Sequence, residues 1–309
     1  MEPLPKTAWP PFDRAAHPRV DLHSHTTLSD GSLTPRELVR LAAGVGLEVL
    51  AVTDHDTTEA LAEALDEGQK VGLRILPGME VSALLPGDRN VHVLAYFPAR
   101  SMPLVAAWQA ERRELRRSRL LRMVERLAAL GAPIELEAIT RGADPRRSPG
   151  RLHVARALVA AGHVADVREA FDRFLAAGQP GYIQDQVPAA KEALAMIRGL
   201  GGLSVVAHPA LDLREGDLPD LAAQGLDGVE AFHHCHGPDQ AAAWAAQAGV
   251  LGLVVTGGSD YHGDPCAEGA PPPAADVEER LGQVPLPPAA WEAFEATLAA
   301  RVDRGCDLG

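Results

Sequence analysis

Two histidines and an aspartate lie close together in the segment VDLHSHTTLSDG, residues 20–31. His23 and His25 are two positions apart, and Asp30 follows in the same segment. Alternate side chains of a β-strand point to the same face, so a strand through this segment would present both imidazoles on one side. Such a pair can bind one metal ion, although two histidines alone are equally consistent with ordinary core or surface positions.

Further metal-ligating side chains follow the other apolar segments that are predicted to form strands. Six of the twelve histidines of the chain fall at these positions. Because so many ligand types recur at strand ends, a shared metal site is favoured over separate structural roles. The candidate ligands are His23, His25, Asp30, His55, Glu80, His92, His208, Asp260 and His262. Asp54 and Asp56 flank His55 and are predicted to orient ligands.

Alternating strand and helix signals predict the elements that position these residues. The first helix begins at Thr34, which forms a capping box with Glu37 and precedes Pro35. A second helix is predicted to open at Thr57 or Thr58. Repeated β–α units indicate an α/β protein with a parallel sheet or barrel, in which active sites lie at the carboxyl ends of strands. Gly257 and Gly258 are predicted to permit close backbone approach before the site.

Four regions are predicted along the chain. Residues 1–17 form an N-terminal arm, residues 18–100 the first part of the barrel, residues 101–189 a helical insertion and residues 190–309 the second part of the barrel. The insertion begins with a long arginine-rich helix. Its arginines are interleaved with glutamates and spread around the helix, which favours a solvated helix over an RNA-facing stripe.

The mixture of imidazole and carboxylate ligands limits the choice of metal. Zn²⁺, Mn²⁺ and Fe²⁺ suit such a set better than Mg²⁺ or Ca²⁺, which prefer oxygen ligands. The candidate ligands exceed one coordination shell, so two or three divalent transition-metal ions are predicted. A metal cluster with a bridging hydroxide can attack phosphorus and neutralise charge on the departing oxygen.

Composition excludes several classes of partner. The chain has 309 residues and a formal net charge of −13, which argues against a broad nucleic-acid footprint and against duplex DNA as a partner. No apolar run resembles a signal peptide or a membrane span. The three cysteines form no disulfide framework, so a cytoplasmic location without membrane partners is expected. The oligomeric state is left open.

The ordered motifs DLHSHTTLSDG, VTDHD, GMEVS, HVLAY, AHP and GSDYHG resemble the PHP (polymerase and histidinol phosphatase) family. The resemblance implies a distorted (β/α)₇ TIM-like barrel with an inserted helical subdomain, and three metal positions. It implies His23, His25, Glu80 and Asp260 at the first position, Glu80, His92 and His208 at the second, and Asp30, His55 and His262 at the third. Asp260, His262, His208 and Glu80 are predicted to take part in catalysis.

The block GRLHVARALVAAGHVADVREAFDRFLAAGQPGY is similar to the insertion of PHP phosphoesterases that act on nucleoside 3′,5′-bisphosphates and on 5′ ends of short RNA. Its Arg151 and His153 are predicted to bind a phosphate that is not cleaved. His236 is predicted to contact substrate, with a separate zinc site in the run HHCH as the alternative. The function implied is hydrolysis of phosphate monoesters of small nucleotides. The alternatives are another PHP phosphatase, such as one acting on histidinol phosphate, and a catalytically silent metal-binding module.

Overall fold

A computed structural model describes residues 16–98, 101–140, 146, 150–184, 187–263 and 281–304 of the chain. The predicted N-terminal arm lies almost entirely outside the described residues, and so does most of the proline-rich segment that follows His262. None of the helices within the described residues is both long and apolar enough to span a bilayer.

Seven strands form one sheet in sequence order. They are β1 (Val20–Asp21), β2 (Val49–Val52), β3 (Arg74–Leu85), β4 (Arg89–Tyr96), β5 (Leu203–Val206), β6 (Gly228–His233) and β7 (Val254–Gly258). The amide of Leu22 donates to the carbonyl of Gly257 at 3.3 Å, and that of His25 donates to Tyr261 at 2.9 Å. These bonds join the first and last strands, so the sheet is a nearly closed barrel, and the predicted (β/α)₇ class is confirmed.

One strand reverses the predicted parallel order. β4 is antiparallel to both β3 and β5, and Ser82 lies opposite His92 in the register. The amino-terminal half of β4 therefore lies at the same rim as the carboxyl ends of the parallel strands. His92 consequently reaches this rim from the first half of its strand, whereas the sequence pattern predicted a position at a strand end.

The helices cover the outside of the barrel and form the inserted block. They are α1 (Pro35–Gly44), α2 (Leu61–Val71), α3 (Met102–Ala129), α4 (Leu136–Thr140), α5 (Arg151–Ala160), α6 (Val167–Ala170), α7 (Ala190–Gly199), α8 (Pro209–Asp212), α9 (Asp217–Gln224), α10 (Pro238–Leu251) and α11 (Pro288–Arg304). The predicted capping box of α1 is present, since Thr34 accepts from the amide of Glu37. α2 begins at Leu61, later than predicted, because Thr58 instead binds the side chain of Gln109.

The end of the barrel opposite the rim is filled by apolar side chains. Leu22, Leu94 and Tyr96 pack there against Phe294 of α11, and all four are buried. The Tyr96 hydroxyl donates to the carbonyl of Leu22 at 2.9 Å, which satisfies its polar tip inside the core. This close packing fixes the positions of the strands, whose other ends carry the side chains of the rim.

A second group of buried apolar side chains lies within the insertion. It includes Met123 and Leu127 of α3, Leu158 of α5 and Leu175 of the π-helical turn Phe171–Leu175. Val105, near the start of α3, packs instead with the barrel. α3 therefore belongs to both cores, and this helix connects the insertion to the barrel.

Candidate metal centre

All nine predicted ligands converge at the rim of the barrel. β1 and the loop that follows it supply His23, His25 and Asp30, and each of five other strands supplies one or two more. Ligand atoms of these residues form several groups in which every pair lies within 4.8 Å. The sequence motifs identified these residues as ligands, and closure of the barrel brings their side chains together.

The first predicted group has the geometry of a single coordination shell. Nε2 of His23 lies 3.2 Å from Oε2 of Glu80 and 3.1 Å from Oδ1 of Asp260. Nε2 of His25 lies 3.2 Å and 3.0 Å from the same two oxygens, and the two Nε2 atoms are 3.1 Å apart. Ligands about 2.0–2.1 Å from a tetrahedral zinc ion lie about 3.3 Å from one another. These four atoms therefore fit around one ion.

The third predicted group centres on Asp30. Its Oδ1 lies 3.2 Å from Nε2 of His262, and its Oδ2 lies 3.6 Å from Nε2 of His55. His25 also joins this group, since its Nδ1 is 3.6 Å from Asp30 Oδ1. The stacked rings of His25 and His262 have centroids 4.1 Å apart. His25 therefore lies between the first and third groups.

The second predicted group gains a carboxylate that the motifs did not indicate. Glu80 Oε1 lies 3.0 Å from Nε2 of His208 and 3.3 Å from Nδ1 of His92. Asp212, in α8, places Oδ2 3.3 Å from Nδ1 of His208 and 3.8 Å from Nδ1 of His92. Asp212 can orient His208, because a carboxylate at one ring nitrogen leaves the other as a ligand. Its signal in the sequence is its position four residues after His208.

Glu80 contacts an imidazole of each of the three groups. Its carboxylate is buried, and its two oxygens lie within 3.0–3.3 Å of five imidazole rings. Nδ1 of His55 and Nδ1 of His92 are buried but have no hydrogen-bond partner among the described residues. Buried polar atoms without partners are costly, and a bound cation between these groups would satisfy them. The donor set therefore fits divalent metal ions.

The electrostatics of the site favour positive charge. Burial opposes protonation of His23, yet the carboxylates of Asp260, Glu230 and Glu80 raise its pKa to about 10. Burial also opposes protonation of His262, but Asp30 and Asp260 raise its pKa to about 9. The carboxylates thus generate a negative potential strong enough to outweigh desolvation. The same potential attracts divalent cations.

Buried carboxylates outside the predicted ligand set hold the ligands in place. Oε1 of Glu230 accepts from Nδ1 of His23 at 3.0 Å, and Oε2 accepts from the amide of His208 at 2.9 Å. Asp54 binds the loop after His25: it accepts from the amide and hydroxyl of Thr26, each at 2.7 Å. Glu230 was missed, although a lone acidic residue inside the apolar strand segment GVEAFH was a usable signal.

Backbone strain is concentrated at this rim. Asp56, His208 and Asp260 adopt positive φ angles of 49°, 25° and 51°, in a region that residues other than glycine rarely enter. Such strain persists where surrounding contacts impose it, and it clusters at functional sites. The predicted role of Gly258 is also confirmed, because a Cβ there would lie 2.6 Å from the amide nitrogen of His23.

Arg151 and His153 lie at the start of α5, in the insertion. The Arg151 guanidinium lies over the ring of Tyr182, 5.8 Å from its centroid. His153 is buried, and its Nδ1 accepts from the amide of Gly150 at 3.1 Å, which caps the helix. A substrate contact by His153 would therefore have to use Nε2.

The structure does not support the predicted substrate contact by His236. Its ring is fully buried, its Nδ1 donates to the carbonyl of Ala231 at 2.8 Å, and its Nε2 faces the amide of Ala210 at 3.4 Å. These contacts join β6 to α8. His233, Cys235 and His236 also bring ligand atoms together, so the predicted alternative of a zinc site in this run stays a prediction. Without a metal, burial raises the pKa of the Cys235 thiol to about 12.

The prediction of a solvated arginine helix was wrong for two of its residues. Arg119 is buried, and its Nε donates to the carbonyl of Ile183 at 3.0 Å. Arg116 forms an ion pair with Asp56, and only 12% of its side chain is exposed. Arg116 and Arg119 also line a small cavity with Arg151. One side of α3 therefore faces the barrel rim and the start of α5.

A barrel rim that gathers imidazoles and carboxylates around shared positions defines a metal-dependent hydrolase as the class of protein. The PHP domain model matches residues 21–130. The chain is 34% identical over 289 residues to the 3′,5′-nucleoside bisphosphate phosphatase of Chromobacterium violaceum, an alignment that covers 92% of this chain and 99% of that relative. The chain therefore belongs to the PHP family of metal-dependent phosphoesterases, and it is a hydrolase acting on phosphoric ester bonds.

Two further comparisons agree with this assignment. The chain is 35% identical over 253 residues to the 5′-3′ exoribonuclease Rnm of Escherichia coli, covering 80% of this chain and 85% of that enzyme. It also resembles the crystal structure of a metal-dependent phosphoesterase from Bifidobacterium adolescentis, with a TM-score of 0.75 and 34% identity over 90% of this chain and 95% of that one.

Proposed function

We propose that this protein hydrolyses a nucleoside 3′,5′-bisphosphate to a nucleoside monophosphate and phosphate, with 5′ ends of short RNA as a second substrate class. The observation that carries the proposal is the position of Glu80, whose carboxylate contacts imidazoles of all three ligand groups. A carboxylate shared among these groups would hold adjacent cations close to one reacting phosphate. The similarity to the Chromobacterium violaceum phosphatase along nearly its whole length supports the choice of substrate.

The site is proposed to hold two or three divalent transition-metal ions, with Mn²⁺, Zn²⁺ and Fe²⁺ as candidates. The proposed ligands are His23, His25, Glu80 and Asp260 at the first position, Glu80, His92 and His208 at the second, and Asp30, His55 and His262 at the third. Bound there, such ions would activate water and neutralise charge on the phosphoryl oxygens. The residues of the chain supply the remaining functions.

Those functions are orientation and proton control. Glu230 holds Nδ1 of His23 as a donor, so that Nε2 keeps its lone pair for a cation. Asp212 lies 3.3 Å from Nδ1 of His208 and is proposed to hold that ring by charge. Asp260 and His262, at the open rim of the barrel with 17% and 26% of their side chains exposed, are the proposed groups for exchanging protons with substrate and water.

Arg151 is the proposed contact for the phosphate that is not cleaved. Its planar guanidinium can bind two phosphate oxygens, and it lies with Arg116 and Arg119 around one small cavity. Binding energy from this remote phosphate would orient the reacting one. Arg151→Ala should therefore reduce hydrolysis of a nucleoside 3′,5′-bisphosphate by about 10–1000-fold, as for loss of a charged hydrogen bond. Hydrolysis of a simple monoester should change little.

Kinetics on a defined panel test the substrate assignment. The panel contains nucleoside 3′,5′-bisphosphates, short 5′-phosphorylated oligoribonucleotides, histidinol phosphate and a chromogenic phosphate monoester, each assayed with Mn²⁺ and with Zn²⁺. Highest kcat/KM on a bisphosphate supports the proposal, whereas highest kcat/KM on histidinol phosphate would replace it with that alternative. No turnover of any member would favour a silent metal-binding module. Duplex DNA and membranes are not expected as partners, and a cytoplasmic location is proposed from the cysteine content.

A further inference from the structure

One side of α3 carries three polar side chains that contact successive residues of the segment 56–59. Gln109, Arg113 and Arg116 are separated by four and three positions, which places them on one face of the helix. Gln109 is buried, and its side-chain oxygen accepts from both the amide and the hydroxyl of Thr58. Arg113 forms an ion pair with Glu59, and Arg116 forms one with Asp56. The inserted block therefore forms hydrogen bonds and ion pairs with the chain directly after His55, a proposed metal ligand.

The contact of Arg116 is the one nearest the metal centre. Its guanidinium bonds the Asp56 carboxylate and, at 3.1 Å, the hydroxyl of Ser82. The other oxygen of Asp56 accepts from the amide of Ser82 at 2.8 Å, and the amide of Asp56 donates to the carbonyl of Glu80 at 2.9 Å. Asp56 thus links His55 to the strand segment that contains Glu80.

The ion pair with Arg116 also offsets the energetic cost of two features of Asp56, its buried carboxylate and its strained backbone. The side chain of Asp56 is 2% exposed, so an uncompensated carboxylate there would be costly. Its φ of 49° is strained for a residue with a side chain. Removal of the guanidinium would favour rotation of Asp56 toward water and relaxation of its backbone. That movement would displace His55, the preceding residue, whose Nδ1 lies 3.2 Å from Glu80.

We propose that Arg116 is a positioning residue through which the inserted helical block fixes His55 at the metal centre. The inference rests on the proposed metal centre and assigns the insertion a role beyond substrate binding. Arg116 acts through Asp56 and touches no reacting atom. Its removal should lower occupancy of the position that His55 serves and leave ligands on the far side of the rim, such as His208, in place.

The test compares Arg116→Ala with Arg117→Ala, because Arg117 is the next residue of the same helix and is exposed. Both proteins and the wild type are stripped with a chelator, titrated with Mn²⁺ and analysed for metal per chain. Arg116→Ala should bind its weakest ion about 10–100-fold less tightly than the wild type, the usual effect of losing a group that orients a ligand. Arg117→Ala should match the wild type. Circular dichroism checks that each variant is folded.

Arg116→Lys supplies a second comparison, which also serves if Arg116→Ala does not fold. An ammonium lacks the planar fork, so lysine should restore part of the metal affinity. Arg116 variants with wild-type metal binding would overturn the inference. Unchanged metal binding with a raised KM would also overturn it, because Arg116 would then contact substrate. A wild-type protein that binds no ion would refute the metal centre itself, together with this inference, whereas failure of the inference alone leaves wild-type metal binding and turnover intact.

Discussion

Glu230→Gln should weaken metal binding although Glu230 is not a proposed ligand. The carboxylate is completely buried and accepts two hydrogen bonds, from Nδ1 of His23 at 3.0 Å and from the amide of His208 at 2.9 Å. Glutamine has the same shape but offers one acceptor and one donor. Because the His208 amide can only donate, the glutamine oxygen must face it, and the glutamine NH₂ then faces His23.

This arrangement forces a change of tautomer in His23. Its Nδ1 must accept from the NH₂ group, so the ring proton moves to Nε2, the atom that lies with the other three ligand atoms of the first group. A protonated Nε2 cannot bind a cation. In the opposite orientation, two donors meet at His208 and its strained backbone loses a hydrogen bond. Either outcome should reduce metal affinity by about 10–100-fold, which corresponds to about 1.4–2.7 kcal/mol.

Isothermal titration of the stripped protein with Zn²⁺ measures this change. Asp227→Asn is a matched control: Asp227 accepts from the amide and hydroxyl of Ser204 and pairs with Arg301, contacts that involve none of the proposed ligands. The control should lower the thermal midpoint without changing metal affinity. A folded Glu230→Gln protein with wild-type affinity would refute the argument that Glu230 sets the tautomer of His23.

Three further outcomes are expected. Elemental analysis after metal-replete expression should give two or three transition-metal ions per chain, and one or none would contradict the ligand groups. Asp260→Ala or His23→Ala should abolish hydrolysis with little change in far-ultraviolet circular dichroism; near wild-type turnover with metals bound would show that the site is wrongly assigned. Gly258→Ala should reduce the free energy of unfolding by about 1–3 kcal/mol, since its methyl group would overlap the backbone of His23. A denaturant midpoint equal to that of the wild type would contradict this close packing.

Much of the fold could be predicted because its signals are local. The capping box at Thr34 and the apolar strand segments depend on residues within a few positions of one another, and their periodicity is visible in the sequence. The reversed direction of β4 could not be read in the same way. A strand has the same side-chain alternation in either direction, so only its pairing with β3 and β5 determines which end carries His92 to the rim.

The sequence by itself determined the ligand types, because imidazoles and carboxylates follow several apolar strand segments, and in a barrel those ends meet at one rim. Only the tertiary structure decided which groups orient them. Glu230 bonds His23 across 207 positions, and Arg116 reaches Asp56 across 60. Local periodicity carries no information about contacts between elements so far apart. It also cannot tell a buried arginine from a solvated one, or a substrate-facing His236 from one bonded within the protein, because burial is set by whatever packs against a residue.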